Sequence, residues 1–123
     1  MTIRITQQST QIHATLISAL SREYEKQGYY VKADHINHPH GCPPKVSGHI
    51  PDLAAYSNNK LCIIAEAETY DTISDRDTHE QWEAFSQSSY LFHVIVPKSC
   101  LTEAQQQAHI WGIKVDKWWW LGD

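Results

Sequence analysis

Three acidic residues, Asp52, Glu66 and Glu68, stand at neighbouring ends of two apolar segments that we predict to be strands, at residues 50–56 and 61–67. The segments are separated by a short polar stretch that predicts a tight turn. If the turn is three residues long, Asp52 faces Glu66 directly, with Cβ atoms about 5 Å apart. Glu68 then points to the same side, because side chains alternate along a strand. A two-residue turn would offset this pairing by one position.

Carboxylates this close repel one another unless they are protonated, paired with bases or bridged by a divalent cation. Few basic residues lie nearby in the sequence. Oxygen ligands without clustered cysteine or histidine suit Mg²⁺ or Mn²⁺, and such a cation can activate water and stabilise charge on a phosphoryl oxygen. We therefore predict a metal site formed by Asp52, Glu66 and Glu68. The alternative is that Glu66 and Glu68 mark the end of a strand that emerges into solvent.

The composition is that of a soluble globular protein, with 41% hydrophobic and 20% charged residues among 123. This length predicts a single domain over residues 1–123. A net charge of −4, from 10 basic and 14 acidic residues, argues against nucleic-acid binding by bulk electrostatics alone. The odd count of three cysteines and the absence of an apolar leader favour a cytoplasmic protein without a disulfide framework.

The apolar periodicity predicts an α/β domain with the element order α-β-β-β-α-β-α-β. The first helix is capped by Ser9 or Thr10 and ended by Gly28. The implied sheet is mixed: an antiparallel meander is followed by a crossover to a parallel strand, and helices cover both faces. The remaining predicted elements are strands at residues 29–36, 50–56, 61–67, 91–96 and 111–115 and helices at residues 78–88 and 101–109.

A known family shares these features. Pro51-Asp52 at a strand start, a hairpin, and an apolar strand ending in Glu66-x-Glu68 resemble the PD-(D/E)XK nuclease superfamily, and the element order matches over residues 10–97. The resemblance implies a restriction-endonuclease-like fold that hydrolyses phosphodiester bonds of nucleic acid, DNA before RNA. It also implies that Asp52 and Glu66, aided by the Ala67 carbonyl, bind Mg²⁺ or Mn²⁺.

The sequence departs from the family pattern at Glu68, where the family usually has a lysine that orients water and offsets charge. Glu68 would either bind the metal or act on water. The lysine of some members has migrated, and Lys98, which follows the fourth predicted strand, is our first candidate for that role. Lys32 on the first predicted strand is the second. The alternative for Lys98 is an ordinary surface lysine after the strand-ending proline.

Gln81 is a further candidate on the helix after the acidic strand. Gln81 and Phe85 resemble the Gln-x-x-x-Tyr element of exonuclease-like members, which implies that Gln81 holds a water or a phosphate oxygen. Trp82 and Phe85 are predicted to be core residues. Glu23 or Glu25 on the first helix would supply the additional acid that some members use, or would pair with neighbouring basic residues.

Two other features carry separate hypotheses. Four histidine and cysteine residues that could bind zinc lie within eight positions, just before and inside a predicted loop at residues 37–50. His49 would be a further zinc ligand or would line the acidic cleft. The four residues are His35, His38, His40 and Cys42, and their spacing favours ordinary loop histidines over a zinc site. Trp118-Trp119-Trp120 predicts at least one exposed aromatic, used for homodimer packing, for docking on the protein's own sheet, or for base stacking.

The function we expect is metal-dependent hydrolysis of nucleic acid, with Asp52 and Glu66 on the metal. The alternative is a catalytically inactive protein of the same fold that binds nucleic acid or protein as a regulatory module. Glu68 in place of lysine and the low basic content favour the alternative. The carboxylates themselves oppose it, because buried like charges destabilise a fold that has no cation to offset them.

Overall fold

The computed structural model describes residues 2–122, with side chains described from residue 9 onward. Its elements follow the predicted order. They are α1 (Thr2–Lys26), β1 (Tyr30–Ala33), β2 (Leu53–Ser57), β3 (Lys60–Ala67), α2 (Arg76–Ser86), β4 (Leu91–Pro97), α3 (Leu101–Trp111) and β5 (Lys117–Leu121), with a short 3-10 turn at Lys98–Cys100.

The five strands form one mixed sheet in the order β1-β2-β3-β4-β5. The pairs β1–β2 and β2–β3 are antiparallel, and the pairs β3–β4 and β4–β5 are parallel. This confirms the predicted meander followed by a crossover to a parallel strand. Over the described residues, no helix combines the length and the apolar character needed to cross a membrane.

Helices cover both faces of the sheet, as predicted. On one face, α1 packs with its apolar stripe against β1, β2 and β3, and on the other face α2 and α3 pack against β3 and β4. Ile63 and Ala65 of β3 belong to the α1 side, whereas Ile64 belongs to the α2 and α3 side. By the same alternation, Glu66 lies on the α2 and α3 side.

The β2–β3 hairpin has a two-residue turn, but Asp52 still lies opposite Glu66. The turn has two residues, Asn58 and Asn59, both with positive φ (53° and 64°), because asparagine tolerates the conformation that a tight hairpin needs. Of the two turn lengths that the sequence left open, the two-residue turn is therefore the one that forms. The ladder then shifts by one position, since Cys62 forms a bulge, and Leu53 pairs with Ala65. The bulge restores the register that sets Asp52 opposite Glu66.

The first helix starts earlier than predicted. Helix α1 begins at Thr2, so Ser9 and Thr10 lie inside it and cannot cap its N-terminus. No glycine or proline occurs before Ser9 to interrupt the helix. The helix ends where expected, and Gly28 follows it with φ 98°.

The last strand also differs from the prediction. Residues 111–115 are not a strand, because Trp111 completes α3 and its ring stacks on His79 at 4.4 Å. Gly112 ends the helix with φ 68°, and β5 follows at Lys117–Leu121. A helix that buries one face accepts a terminal tryptophan as well as a strand does.

The three consecutive tryptophans divide between the two faces of the sheet and solvent. Trp118 packs beside Trp82, and Trp119 packs beside Tyr24 on the opposite face. Trp120 is 52% exposed. This confirms that one of the three is exposed and that the others dock on the protein's own sheet, while homodimer packing stays a prediction.

Candidate functional site

Asp52 and Glu66 are joined by reciprocal backbone contacts at the ends of β2 and β3. The backbone N–H of Asp52 donates to Glu66 Oε2 at 2.9 Å, and that of Ala67 donates to Asp52 Oδ2 at 2.8 Å. Both carboxyl side chains are buried. Two of the three predicted carboxylate ligands are therefore neighbours, with the backbone of Ala67 beside them, but Glu68 does not complete a group of three whose ligand atoms all lie within 4.8 Å.

The environment of Glu66 disfavours its charged form. Burial raises the pKa of Glu66 well above its usual 4.5, and the negative charges of Asp52 and Glu68 raise it further. Among the described residues, no lysine, arginine or histidine forms an ion pair with Glu66. Glu66 therefore keeps its proton or takes its compensation from a bound cation.

Glu68 is held by the α2 helix and the turn before it. Its Oε1 accepts from the Thr72 hydroxyl at 2.8 Å and from the Thr78 hydroxyl at 3.4 Å, and its Oε2 accepts from the indole N–H of Trp82 at 3.0 Å. Burial raises the pKa of Glu68 to about 8, against the opposing effect of these hydrogen bonds. Trp82 is the core residue that was predicted and is also a donor to the site.

Two histidines that were not predicted as partners of Asp52 contact its carboxylate. His13 Nε2 lies 3.2 Å from Asp52 Oδ2, and His35 Nε2 lies 3.4 Å from Asp52 Oδ1. The two rings meet edge to face at 5.2 Å. His35 has φ 64° at the start of the connection from β1 to β2, which turns its ring towards Asp52. These imidazoles are the basic side chains that contact the Asp52 carboxylate.

The pKa of His13 reflects that position. Burial lowers it, but the hydrogen bond to Asp52, the charges of Asp52 and Glu68 and a hydrogen bond to the Ala67 backbone together raise the pKa of His13 above 6.5. A sequence signal for His13 existed. It lies four residues after Ser9 and four before Ile17, on the inward stripe of α1.

A polar cleft of about 360 Å³ opens beside the carboxylates. On its wall, the Ser9 hydroxyl donates to Asp71 at 2.6 Å and also contacts Thr69. Burial opposes the charged form of Asp71, but these hydroxyl donors hold its pKa below 3.8. The lining residues are Ser9, Thr10, His13, His35, Thr69, Asp71 and Thr72. The cleft thus brings hydroxyl and imidazole groups to the edge of the site.

Among the described side chains, neither Lys98 nor Lys32 forms an ion pair with the acidic site. Lys98 follows β4, at the same sheet end as Glu68, and stands beside Gly122. The Lys32 ammonium lies 5.8 Å from the Tyr56 ring centroid. Gln81 is half-buried on α2. The roles of Lys98 and Gln81 stay predictions.

The zinc-type ligands separate into different groups. His35 faces Asp52, and the Cys42 thiol lies 3.6 Å from Asp34 Oδ1. His49 packs on Phe85, with 6.1 Å between ring centroids, and is not among the residues that line the cleft. His38 and His40 instead meet the last turn of α1, where His38 Nε2 lies 3.4 Å from a Glu25 carboxylate oxygen. Glu25 of α1 therefore faces His38 and not the Asp52 and Glu66 carboxylates.

Comparisons with known proteins add no family, since no family model, curated protein or solved structure matches the chain. The functional argument therefore rests on the residues themselves. Asp52, Glu66 and the backbone of Ala67 form a compact set of oxygen and nitrogen atoms, with an imidazole against it. Chemically, this arrangement can hold a cation next to a polar cleft.

Proposed function

We propose that the protein is a Mg²⁺- or Mn²⁺-dependent nuclease with a restriction-endonuclease-like core, acting on DNA in preference to RNA. The observation that carries the proposal is the buried, adjoining pair Asp52 and Glu66, whose compensation comes from a cation. We place the activity in the cytoplasm, in keeping with the free cysteines Cys42, Cys62 and Cys100.

The donor set suits a hard divalent cation. Asp52 and Glu66 supply carboxylate oxygens, and the Ala67 carbonyl would supply a neutral one. His13 supports this assignment, because its ring nitrogen already contacts Asp52 Oδ2 at 3.2 Å, at the point where a cation would bind. When bound, the cation would polarise a phosphodiester and lower the pKa of a water molecule.

The protein's own groups supply the remaining requirements. Glu68, whose pKa is raised to about 8 in the metal-free protein, adds less negative charge below that pH than an ordinary glutamate would. This reduces the repulsion that the usual lysine would otherwise offset. The His35 side chain is 55% exposed at the cleft and lies against Asp52. It is placed to accept a proton from an attacking water.

One observation favours the second candidate, a catalytically inactive binding module of the same fold. His13 and His35 already contact both oxygens of Asp52, and Glu68 accepts hydrogen bonds from Thr72 and Trp82. Part of the cluster is thus satisfied by protein groups. The Glu66 carboxyl, which has no ion pair among the described residues, keeps the nuclease proposal ahead.

The deciding experiment is cleavage of labelled single-stranded, duplex and branched DNA, and of RNA, with Mn²⁺ or with EDTA. The nuclease proposal predicts Mn²⁺-dependent cleavage that Asp52→Asn abolishes and that Glu103→Gln, a change of an exposed acid on α3, leaves intact. Saturable binding without cleavage in Mn²⁺ would support the inactive module. Cleavage that persists equally in Asp52→Asn would contradict both the site and the proposal.

A further inference from the structure

We infer a second metal site, for Zn²⁺, formed by Glu25, His38 and His40, where the end of α1 meets the loop after β1. Each residue offers one ligand atom, and these atoms all lie within 4.8 Å of one another. Within the part of the chain that the structure describes, this is the one such group of three histidine, cysteine or acidic side chains. The inference does not rest on the proposed nuclease function.

The ring of His40 is already oriented for coordination. Its Nδ1 lies 3.0 Å from the Val31 carbonyl oxygen, so Nδ1 carries the proton and Nε2 keeps its lone pair. The ring also stacks on Tyr30, with centroids 3.9 Å apart and planes within 10°. A backbone carbonyl that fixes the tautomer of a ligating histidine is the usual outer shell of a zinc site.

His38 is the least exposed member of the cluster, with 6% of its side chain accessible. Its Nε2 points to Glu25 Oε2 at 3.4 Å, and its Nδ1 accepts from the backbone N–H of His40 at 3.2 Å. A metal on Nε2 would replace the proton there, and a neutral ring then carries its proton on Nδ1. Binding therefore gives up both the contact with Glu25 and the hydrogen bond from the His40 N–H, and the ring has to turn away from that N–H.

The backbone holds the two histidines in a fixed turn. The N–H of Gly41 donates to the His38 carbonyl at 3.1 Å, and the N–H of Ala33 donates to the Gly41 carbonyl at 3.0 Å. Gly41 adopts φ 79°, which closes the turn. His38 and His40 are thus anchored to β1, while Glu25 is fixed by the last turn of α1.

The donor chemistry selects the metal. Two imidazoles and one carboxylate are a ligand set typical of Zn²⁺ with a fourth position for water, whereas Mg²⁺ prefers oxygen ligands alone. Glu25 and His40 are exposed, so a fourth ligand can reach the site. The cluster shares no ligand with the carboxylates, because His35 faces Asp52 instead. Zinc here would tie α1 to the segment that carries both His35 and Asp52.

The test is a calorimetric Zn²⁺ titration of the whole chain, with X-ray absorption of the zinc-loaded protein. Because the carboxylate site would also take up Zn²⁺, the titration is run on wild type and on Asp52→Asn, and in Asp52→Asn we expect one Zn²⁺ per chain in a shell of nitrogen and oxygen with two imidazoles. In that background, Glu25→Gln and His40→Gln, both exposed, should each weaken binding about tenfold or more. The double variant should lose binding and also lose the Zn²⁺-induced rise in melting temperature.

Three controls separate this site from other metal binding. His109→Gln removes an exposed histidine on α3, Cys42→Ser removes the nearby thiol, and Asp52→Asn removes the carboxylate site. His109→Gln and Cys42→Ser should bind Zn²⁺ as the wild type does, and Asp52→Asn should keep the zinc held by two imidazoles. Wild-type binding in the Glu25→Gln, His40→Gln double variant, loss of binding in Cys42→Ser or Asp52→Asn, or sulfur in the zinc shell would overturn the inference.

Discussion

Asp52 has imidazole partners at both oxygens, and this is the main chemical difference between the site and a plain carboxylate cluster. Sequence spacing gave Asp52 and Glu66, because two residues facing each other across a hairpin follow from strand geometry. His13 was not found, because its contact with Asp52 spans 39 positions and depends on how α1 sits on the sheet. Its place on the inward stripe of α1 was the available signal.

His13 should compete with the metal. Its protonated ring takes up the same Asp52 oxygen that a cation needs, so His13→Ala should tighten Mn²⁺ binding severalfold at about pH 6 and have little effect at about pH 8.5. Mn²⁺ titrations at both pH values measure this, with His109→Ala as the exposed control. Weaker binding of His13→Ala at both pH values would make His13 a metal ligand and contradict the competition.

Glu68 should make the metal-free protein less stable as the pH rises. Its pKa is raised from 4.5 to about 8 on folding, so its stabilising contribution is complete below 4.5 and is lost as the pH rises through 8. The raised pKa values of Glu66 and His13 act in the same direction.

Glu68→Gln mimics the protonated form and should flatten this dependence. The free energy of unfolding of the wild type should fall between about pH 6.5 and 8.5, by at most about 1.4 kcal/mol per pH unit for each proton involved. Urea unfolding over that range measures the slope, and Glu103→Gln should keep the wild-type slope. Equal slopes in wild type and Glu68→Gln would show that Glu68 ionises normally.

At the scale of the elements, β2 and β3 reach the predicted register by two differences that offset each other. The turn is one residue shorter than the three-residue alternative, and the bulge at Cys62 adds the residue back. Alternating apolar residues fix which elements are strands, but they do not show a bulge inside a continuous apolar run. The pairing of Asp52 with Glu66 could therefore be predicted from the sequence, but the bulge at Cys62 that produces it could not.

His93 on β4 links three elements and predicts an acid-sensitive core. Its Nδ1 accepts from the Tyr24 hydroxyl of α1 at 2.7 Å and from the Trp119 indole N–H of β5 at 3.1 Å. Burial, and then the charge of Lys117, lower the pKa of His93 from 6.5 to about 4. Its contribution to stability is therefore complete above 6.5 and is lost as the pH falls towards 4.

His93→Gln should remove this acid dependence. At about pH 7 the variant should be less stable by about 1–2 kcal/mol, because the Tyr24 hydroxyl and the Trp119 indole N–H lose their shared acceptor. Below 6.5 the difference between wild type and variant should shrink, since only the wild type must protonate a buried imidazole. Urea unfolding between about pH 7 and 4.5 measures it, with His109→Gln as the control. A difference that stays constant with pH would contradict the lowered pKa.

At the scale of the whole molecule, the order of the elements and the mixed sheet were predictable because apolar patterns encode which faces are covered. The elements after β4 were harder to predict, because tryptophan occurs in both kinds of element there. Trp111 lies in helix α3, and Trp118–Trp120 lie in strand β5. Strand β5 forms one edge of the sheet, and its Trp120 is 52% exposed. An exposed aromatic on an open edge is where association between copies would start.

Trp120→Ser tests the predicted homodimer. If two chains pack through this region, light scattering should give twice the 14.1 kDa of one chain for the wild type, and Trp120→Ser should shift the mass towards one chain. The variant should fold normally, whereas Trp119→Ala, which opens the core, should cost about 3 kcal/mol or more. A wild type that stays at 14.1 kDa at the highest concentration tested would exclude the homodimer.

The central claim is that Asp52 and Glu66 hold a divalent cation, and Mn²⁺ binding followed by the paramagnetic signal of the free ion tests it most directly. At about pH 7.5, where Mn²⁺ can displace the proton of Glu66, we predict one Mn²⁺ per wild-type chain. Asp52→Asn should lose this binding, while Glu103→Gln and the Glu25→Gln, His40→Gln double variant should keep it. Wild-type protein that binds no Mn²⁺, or Asp52→Asn that binds it equally well, would contradict the account.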